Sequence, residues 1–257
     1  MTTSEFSYEF DLLYNNIRSN KAPGVDDYEK SLFLTQAQEY IVKSYYESFE
    51  NSEKAREVLT PLVVSKNVIL NSIPTTVSTD SVNNENEPNV YKYYVEIPSD
   101  CWFILNEFVE LEGTSKEIPT YLKSYKMMVK PVLLDDYYKI KNNPFKGPNN
   151  RQVLRYNISY TTNLPTPPVT TVNSKVIIVS KYALTEYYVI RYLKKPSPII
   201  LFNSSATEYT GLTIDSLNTI QTSILPESVH REIVETAVNL AIKTFADRLS
   251  GNNQQQQ

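Results

Sequence analysis

The chain has 257 residues, of which 41% are hydrophobic and 21% are charged, and its formal net charge at pH 7 is -4. A chain of this length and apolar content can bury a substantial core, either in one large domain or in one domain with a helical appendage. The negative net charge argues against a protein whose main function is to bind nucleic acid, because phosphate binding requires a basic surface.

Two amphipathic helices, separated by a turn at residues 19–24, are predicted at the start of the chain. In the first helix, Thr2 and Glu5 fit a capping box, and the apolar residues recur at helical intervals. The second begins after Asp26, which with Glu29 satisfies the first amide groups, and it is apolar over more than one face. Such a helix needs more than one neighbour, either its own domain or another subunit. Our candidate interface residues are Phe6, Phe10, Leu13, Ile17, Tyr40 and Tyr45.

Residues 71–89 are predicted to form a flexible arm. The segment is dominated by Ser, Thr, Asn, Asp and Glu and contains Pro74 and Pro88. It therefore buries too little apolar surface to offset the entropy that ordering would cost.

The middle of the chain is rich in predicted strands. Alternating or β-branched runs predict strands at 91–97, 103–111, 121–129, 153–160, 175–180 and 186–194. Residues 131–140 are predicted to form a short helix. Residues 161–174 contain several prolines, so we expect a protruding extended loop there rather than a ladder strand.

A closing helix is predicted after Pro226, a residue that helices tolerate in the first turn. Its apolar side chains face one way, so we expect this helix to pack on the sheet. Gly251 suits helix termination, and residues 251–257 are predicted to be a disordered tail.

The residues that enzymes use are sparse in this chain. His230 is the sole histidine, which excludes a His-based metal cluster, and its position in a helix predicts a surface or capping role. Asp135 and Asp136, like other adjacent carboxylates on a helix, point about 100° apart and do not share a site. The five glycines are too scattered to cradle a phosphate. We therefore predict no catalytic residue, no cofactor and no metal site, and we expect that the chain is not an enzyme.

The lone cysteine and the hydropathy pattern restrict the compartment in which we expect the protein. Cys101 cannot form an intramolecular disulfide, which fits synthesis in a reducing compartment, and we expect an unreactive thiol packed beside Trp102. No apolar run approaches membrane-spanning length, and the N-terminus lacks the features of a signal peptide. We therefore expect a soluble chain that does not contact a membrane.

Tyrosine is the unusual component of the composition, with 20 residues against one tryptophan. Tyrosine is enriched at protein interfaces, because its ring supplies apolar area while its hydroxyl keeps a polar partner. Exposed tyrosines with carboxylates also suit a carbohydrate-binding module, so a carbohydrate-binding tail or receptor-binding module of a phage is our alternative, with a glycan-degrading enzyme third.

Three stretches of the sequence resemble one family. They are residues 5–46 (EFSYEFDLLYNNIRSNKAPGVDDYEKSLFLTQAQEYIVKSYY), residues 142–156 (NNPFKGPNNRQVLRY) and the strand, proline and closing helix within 190–249. That family comprises the ring or adaptor proteins that lie between portal and tail in crAss-like bacteriophages, which the first stretch resembles most specifically. The third stretch looks like the strand, proline and closing helix of head-to-tail connector proteins more widely. None of the three stretches is a catalytic signature.

The resemblance implies a structural virion protein at the phage neck, which joins portal to tail in a ring of twelvefold symmetry. Its partners would be further copies of itself, the portal protein and adjacent tail or ring proteins, with DNA passing through the channel without sequence-specific binding. Assembly would take place in the host cytoplasm. We expect an α+β fold with a mixed or antiparallel sheet, comprising a helical hairpin at 1–60 and a β-rich connector domain at 61–250.

Overall fold

The computed structural model describes residues 1–17, 24–72, 90–111, 126–149, 151–163, 170–182, 184–203 and 209–254. Its helices are α1 (Thr3–Ile17), α2 (Asp27–Glu47), α3 (Glu53–Leu59), α4 (Leu134–Ile140) and α5 (His230–Gln254). Its strands are β1 (Val63–Ile69), β2 (Asn71–Ser72), β3 (Tyr91–Val95), β4 (Cys101–Leu111), β5 (Lys126–Pro131), β6 (Gln152–Asn163), β7 (Thr170–Ser180) and β8 (Leu184–Lys194). The α+β class is confirmed.

Two compact units make up the chain. Met1–Val63 and Lys195–Gln257 form one of them, which we call the helical unit, and Val64–Lys194 form the other, the sheet unit. The sequence-based boundaries instead grouped residues 61–250 into one domain. They differ because the closing helix follows the strands along the chain but folds with the N-terminal helices.

The predicted helix caps are present in the helical unit. The backbone N–H of Thr2 donates to Glu5 Oε2 at 2.7 Å, and the N–H of Glu5 donates to Thr2 Oγ1 at 3.3 Å. At the start of α2, Asp26 Oδ1 accepts from the N–H of Glu29 at 2.7 Å. Each bond satisfies an amide that the first helical turn leaves without a partner.

Three polar side chains of α2 bind an extended segment at residues 197–201. Gln38 Nε2 donates to the carbonyl of Ser197 at 2.8 Å, and Ser31 Oγ accepts from the N–H of Leu201 at 2.9 Å. Between them, the Thr35 hydroxyl donates to the carbonyl of Ile199 at 3.3 Å and accepts from its N–H at 3.1 Å. We call Ser31, Thr35 and Gln38 the polar ladder of α2. All three are buried, so these hydrogen bonds replace contacts with water.

A buried cation connects α1 to α2. The side chain of Lys30 is 8% exposed, and its Nζ lies 2.7 Å from Asp11 Oδ2 and 3.5 Å from Asp27 Oδ1. The same Nζ donates to Ser7 Oγ at 3.2 Å. A lysine is seldom buried unless its charge is paired, and here two carboxylates of neighbouring helices supply the pairing.

The closing helix α5 packs against α1 and α2. Its apolar side chains are buried there, and the ring of Phe245 lies 6.1 Å from that of Phe33 and 6.3 Å from that of Tyr14. The expectation that this helix packs on the sheet is therefore corrected. The helix also runs through Gly251 to Gln254, where the sequence predicted a tail, because one glycine costs a helix only about 1 kcal/mol.

The strands form one mixed sheet in the order β1-β8-β4-β5-β6-β7-β3-β2. The pairing of β5 with β6 is parallel, whereas β4 pairs with β5 and β8, β7 with β3 and β6, and β2 with β3 in antiparallel orientation. The β6–β7 ladder continues to the pair Asn163 and Thr170, so much of the loop predicted at 161–174 is strand. The end of β6 and the start of β7 contain Thr and Val residues, and these β-branched residues favour strands. The prolines of this stretch fall in 164–169, outside the described residues.

The sheet unit has apolar clusters on both faces of β6. One cluster contains Val153 and Tyr188, and the other contains Leu154 and Tyr156 beneath Tyr137 of α4. Successive residues of a strand point to opposite faces, so the adjacent burial of Val153 and Leu154 means that this strand is covered on both sides.

Two predicted elements lie partly outside the described residues. Of the arm predicted at 71–89, Asn71 and Ser72 form the short strand β2, and 73–89 are not described. The strand predicted at 121–129 is observed from Lys126, and 121–125 are not described. The flexibility of the arm stays a prediction.

Replacing Thr35 with Val should lower the free energy of unfolding by about 1–3 kcal/mol, because the buried backbone groups of Ile199 would lose their partner. Urea denaturation monitored by circular dichroism measures the change. The matched control is Thr244→Val, which removes an exposed hydroxyl that bonds only the carbonyl of Leu240 in its own helix. Equal stability of the two variants would show that the ladder contributes little.

Candidate interaction surfaces

The apolar stripe of α1 that supplied four candidate interface residues faces the interior of the helical unit. Phe6 and Phe10 are fully buried, with the Phe6 ring 5.2 Å from that of His230 and the Phe10 ring 6.1 Å from that of Tyr14. Leu13 is half-buried, and the side chain of Ile17 lies outside the described residues. The burial of Phe6 and Phe10 is thus explained within one chain, and a part for these residues in subunit contacts stays a prediction.

The two candidate residues of α2 differ in exposure. Tyr40 is 65% exposed, whereas Tyr45 is half-buried. The Tyr45 hydroxyl donates to Glu232 Oε2 at 3.1 Å, and Lys54 Nζ lies 5.8 Å from the centre of its ring. Tyr40 is therefore the better placed of the two to contact another molecule.

The outer face of α1 carries an apolar pair that the sequence analysis did not single out. Tyr8 is 70% exposed and Leu12 is 48% exposed. They are four residues apart, so they lie on one face of the helix. The spacing of Tyr8 and Leu12 is visible in the sequence. However, the longer stripe through Phe6 and Phe10 has the same period, and that stripe alone was enough to predict an amphipathic helix.

A rigid turn after α4 displays the most exposed of the large apolar side chains in the described residues, Phe145 at 87%. Asn143 Oδ1 accepts from the N–H groups of Phe145 and Lys146 at 2.9 and 3.1 Å. Gln152 Nε2 donates to the carbonyls of Phe145 and Gly147 at 3.3 and 2.9 Å. We call residues 143–149 and 151–152 the Phe145 turn.

Only glycine fits at position 147 of that turn. A Cβ atom there would lie 2.7 Å from the carbonyl oxygen of Lys141 and 2.8 Å from those of Ile140 and Asn143. The turn closes tightly on the end of α4, so the aromatic ring is held out on a fixed backbone.

A shallow groove of about 300 Å³ lies beside α4. It is lined by Pro131, Val132, Leu133, Leu134, Arg155 and Asn157. Leu133, at its edge, is 72% exposed. The sheet unit therefore has a second exposed apolar position next to α4, the helix that precedes the Phe145 turn.

Beneath the groove, a buried ion pair joins three strands. Arg155 Nε of β6 lies 2.7 Å from Glu107 Oε2 of β4, and the two side chains are 11% and 5% exposed. The Tyr188 hydroxyl of β8 donates to the same Oε2 at 2.7 Å, and Arg155 Nη1 donates to Asn157 Oδ1 at 3.0 Å. Burial, followed by the charge of Glu107, raises the pKa of Tyr188, so its hydroxyl stays a donor.

The lone thiol is held in its neutral form. Cys101 is partly exposed, and burial together with the nearby charge of Asp100 raises its pKa to about 11. The pKa of Tyr192 rises to about 12, because of burial and the hydrogen bond that its hydroxyl donates to Asp100 Oδ1 at 3.0 Å. These groups are protonated at neutral pH and serve as structural contacts.

His230 is buried, and the sequence placed it on the surface or in a cap. Its Nε2 lies 2.8 Å from the carbonyl of Leu225, and its Nδ1 lies 2.9 Å from the amino group of Met1. A carbonyl only accepts, so Nε2 carries the proton and the amino group donates to Nδ1. Burial lowers the pKa of His230, which keeps the ring neutral.

Two kinds of site are absent from the described residues. No group of three or more His, Cys, Asp or Glu side chains in that part of the chain is placed to hold a metal ion. Among the helices there, none has the length and apolar character needed to cross a membrane.

Comparison with known families gives the class of the protein. A family model described as phage tail ring protein 3/4 matches residues 1–254, which is nearly the whole chain. The chain belongs to this family, and the resemblance to ring proteins of crAss-like phages is confirmed. It is thus a structural ring protein of a phage virion.

Two relatives come from Bacteroides phage crAss001. Ring protein 4/5 is 33% identical over 260 residues, covering 98% of this chain and 97% of that protein. Ring protein 3 is 32% identical over 262 residues, covering 99% of this chain and 100% of that protein. The similarity therefore spans both the helical unit and the sheet unit.

Replacing Arg155 with Met should lower the free energy of unfolding by about 3–5 kcal/mol, because the buried carboxylate of Glu107 would lose its ion-pair partner. Chemical denaturation of the two proteins measures the difference. The exposed Arg151 has no ion pair among the described residues, so Arg151→Met is the matched control and should change stability by less than about 0.5 kcal/mol. A tolerated Arg155→Met would mean that the network is dispensable.

Cys101 should react with iodoacetamide at pH 8 roughly 100-fold more slowly than the same cysteine in urea, because its raised pKa leaves little thiolate. Mass spectrometry of timed samples gives both rates. The ratio should shrink as the pH approaches 11, where the folded thiol ionises. A native rate equal to the unfolded one would contradict the raised pKa.

Proposed function

We propose that this protein forms one of the stacked rings at the phage neck, where it joins the portal to the tail and extends the channel through which DNA passes. The ring would have twelvefold symmetry, and its neighbours would be the portal and the adjacent ring or tail proteins. Membership of the tail ring family along nearly the whole chain is the observation that carries this proposal. Assembly would take place in the host cytoplasm.

The exposed apolar side chains support assembly into a ring. A closed head-to-tail ring requires two different complementary surfaces on each subunit, because every copy contacts its two neighbours differently. The helical unit exposes Tyr8, Leu12 and Tyr40, and the sheet unit exposes Leu133 and Phe145. The two sets belong to different units, so they could serve as the two different surfaces of a heterologous contact.

The charge balance suits a DNA channel. A net charge of -4 repels the phosphate backbone on average, so DNA would pass without being held. Contacts summed around a closed ring would supply the stability that no single weak contact has.

The six residues taken from the sequence contribute unequally to this proposal. Tyr40 is the one that we propose as a direct contact, and we add Tyr8 and Leu12 of the outer face of α1. Phe6 and Phe10 would act by holding α1 in place, and Tyr45 by its bond to Glu232.

The experiment mixes the purified protein with its cognate portal and images the product by electron microscopy. We expect a ring coaxial with the portal, and we expect Tyr40→Asp or Tyr8→Asp to reduce ring occupancy at least tenfold, because a charge would replace an apolar contact. Glu235→Gln, an exposed change on α5 that involves only the pair with Arg231, is the control and should leave occupancy unchanged.

Thermal melts should show that the Tyr40 and Tyr8 variants stay folded, since both side chains are mostly exposed. Absence of any coaxial ring, or virions that hold the chain only at fibre tips, would overturn the proposal. The second result would favour the carbohydrate-binding alternative.

A further inference from the structure

The charges of the chain are divided unevenly between its two units. The helical unit has 17 acidic and 10 basic residues, a net charge of -7, whereas the sheet unit has 12 acidic and 15 basic residues, a net charge of +3. The overall charge of -4 hides this separation. Surfaces of opposite sign on the two units of one chain are complementary when one copy meets another.

On the sheet unit, unpaired basic groups flank the most exposed aromatic ring. Lys146 and Arg151 lie in the Phe145 turn, both are exposed, and neither has an ion pair among the described residues. An aromatic anchor on a rigid backbone loses little conformational entropy on binding, so it gives a favourable contact. The turn therefore combines an exposed aromatic ring with two cations that have no ion-pair partner among the described residues.

On the helical unit, most described carboxylates have partners within the chain. Each of these carboxylates binds a backbone amide, the terminal amino group, a lysine, an arginine or a tyrosine hydroxyl. They are Glu5, Asp11, Asp26, Asp27, Glu39, Asp215, Glu227, Glu232 and Glu235.

Four exposed carboxylates without partners among the described residues lie near one another in the sequence, where α2 ends and α3 begins. They are Glu47, Glu50, Glu53 and Glu57, which we call the acidic corner.

The basic residues of the acidic corner have contacts of their own. Lys54 Nζ lies over the ring of Tyr45, and Arg56 Nε donates to the carbonyl of Ser52 at 3.4 Å. Phe49 is half-buried within the corner and offers an aromatic surface. Four carboxylates against Lys54 and Arg56 leave residues 47–57 with a net charge of -2 beside the half-buried ring of Phe49, whereas the Phe145 turn carries Lys146 and Arg151.

We infer that the Phe145 turn of one copy binds the acidic corner of the next copy, and that this contact closes the ring laterally. The inference rests on the proposed ring function and adds the surfaces that meet. Phe145 packs on Phe49 of the neighbour, while Lys146 and Arg151 pair with the carboxylates around it. The contact is heterologous, so each subunit uses both surfaces, one toward each neighbour.

Carbodiimide cross-linking tests which groups meet, because the reagent joins a lysine amine directly to a carboxylate in contact with it. Rings are assembled on the portal from an equal mixture of ¹⁴N- and ¹⁵N-labelled protein and then cross-linked. We expect peptides that join Lys146 of one isotope to Glu47, Glu50, Glu53 or Glu57 of the other. Cross-links from Lys146 solely to the portal, or none at all in an assembled ring, would overturn the inference and leave the ring function standing.

Charge reversal provides the second measurement. Lys146→Glu with Arg151→Glu should reduce ring occupancy at least tenfold, because like charges would face each other. Adding Glu50→Lys and Glu57→Lys to the same chain should restore occupancy. Lys66→Glu with Arg191→Glu makes the same charge change on exposed residues of β1 and β8, and it should leave occupancy within twofold of the parent.

Removal of the aromatic anchor completes the test. Phe145→Ala should weaken ring formation about 30-fold, the effect typical of a hot-spot residue, while Ile69→Ala, at an exposed apolar position of β1, should not. Near-ultraviolet circular dichroism checks that each variant is folded. Loss of DNA retention with occupancy unchanged would assign the Phe145 turn to nucleic acid instead, and failure of the parent protein to form any ring would overturn both proposals.

Discussion

The hydrogen bonds between α2 and residues 197–201 determine which parts of the chain fold together. Thr35 satisfies both the N–H and the carbonyl of Ile199, and Ser31 and Gln38 bind the residues on either side. Because the ladder is buried, the extended segment would have unsatisfied backbone groups without it. The chain that leaves the sheet is thereby returned to the N-terminal helices, and α5 follows it onto α1 and α2.

The sheet unit also depends on a buried polar contact, which is an ion pair rather than a set of neutral hydrogen bonds. The pair of Arg155 and Glu107, with the hydroxyl of Tyr188, connects β4, β6 and β8 inside the sheet unit. Burying a charge pair costs desolvation energy, and the attraction between the two charges offsets that cost only when their geometry is favourable. Both units therefore combine an apolar core with a few buried polar groups whose partners are specific.

Local features were predictable from the sequence because their causes lie within a few residues. The Thr2 and Asp26 caps and most strands follow from short-range patterns, and the structure has them. The partner of α5 was not predictable in this way, because helical periodicity identifies the face that is buried and not the element that covers it. The polar ladder escaped notice for a related reason, since polar residues on an amphipathic helix ordinarily face water.

The candidate surfaces show the same limit. Phe6, Phe10 and Tyr40 belong to similar apolar patterns in the sequence, yet the first two are fully buried and the third is 65% exposed. The exposure of a side chain depends on where distant segments of the chain pack. The spacing of apolar residues carries no information about that packing. Phe145 stood inside a stretch recognised for its family resemblance, but its display depends on bonds from Asn143 and Gln152 that only the folded turn reveals.

The discontinuous make-up of the helical unit has a consequence for protein synthesis. Residues 1–63 leave the ribosome before the helix that begins at His230, yet α1 and α2 pack on that helix. Until α5 has been translated, the apolar stripe of α1 lacks the helix that covers it, so nascent chains expose Phe6 and Phe10 during that time. A prematurely terminated chain would keep that surface uncovered and would be open to chaperones and proteases, so translation itself would screen out incomplete subunits before assembly.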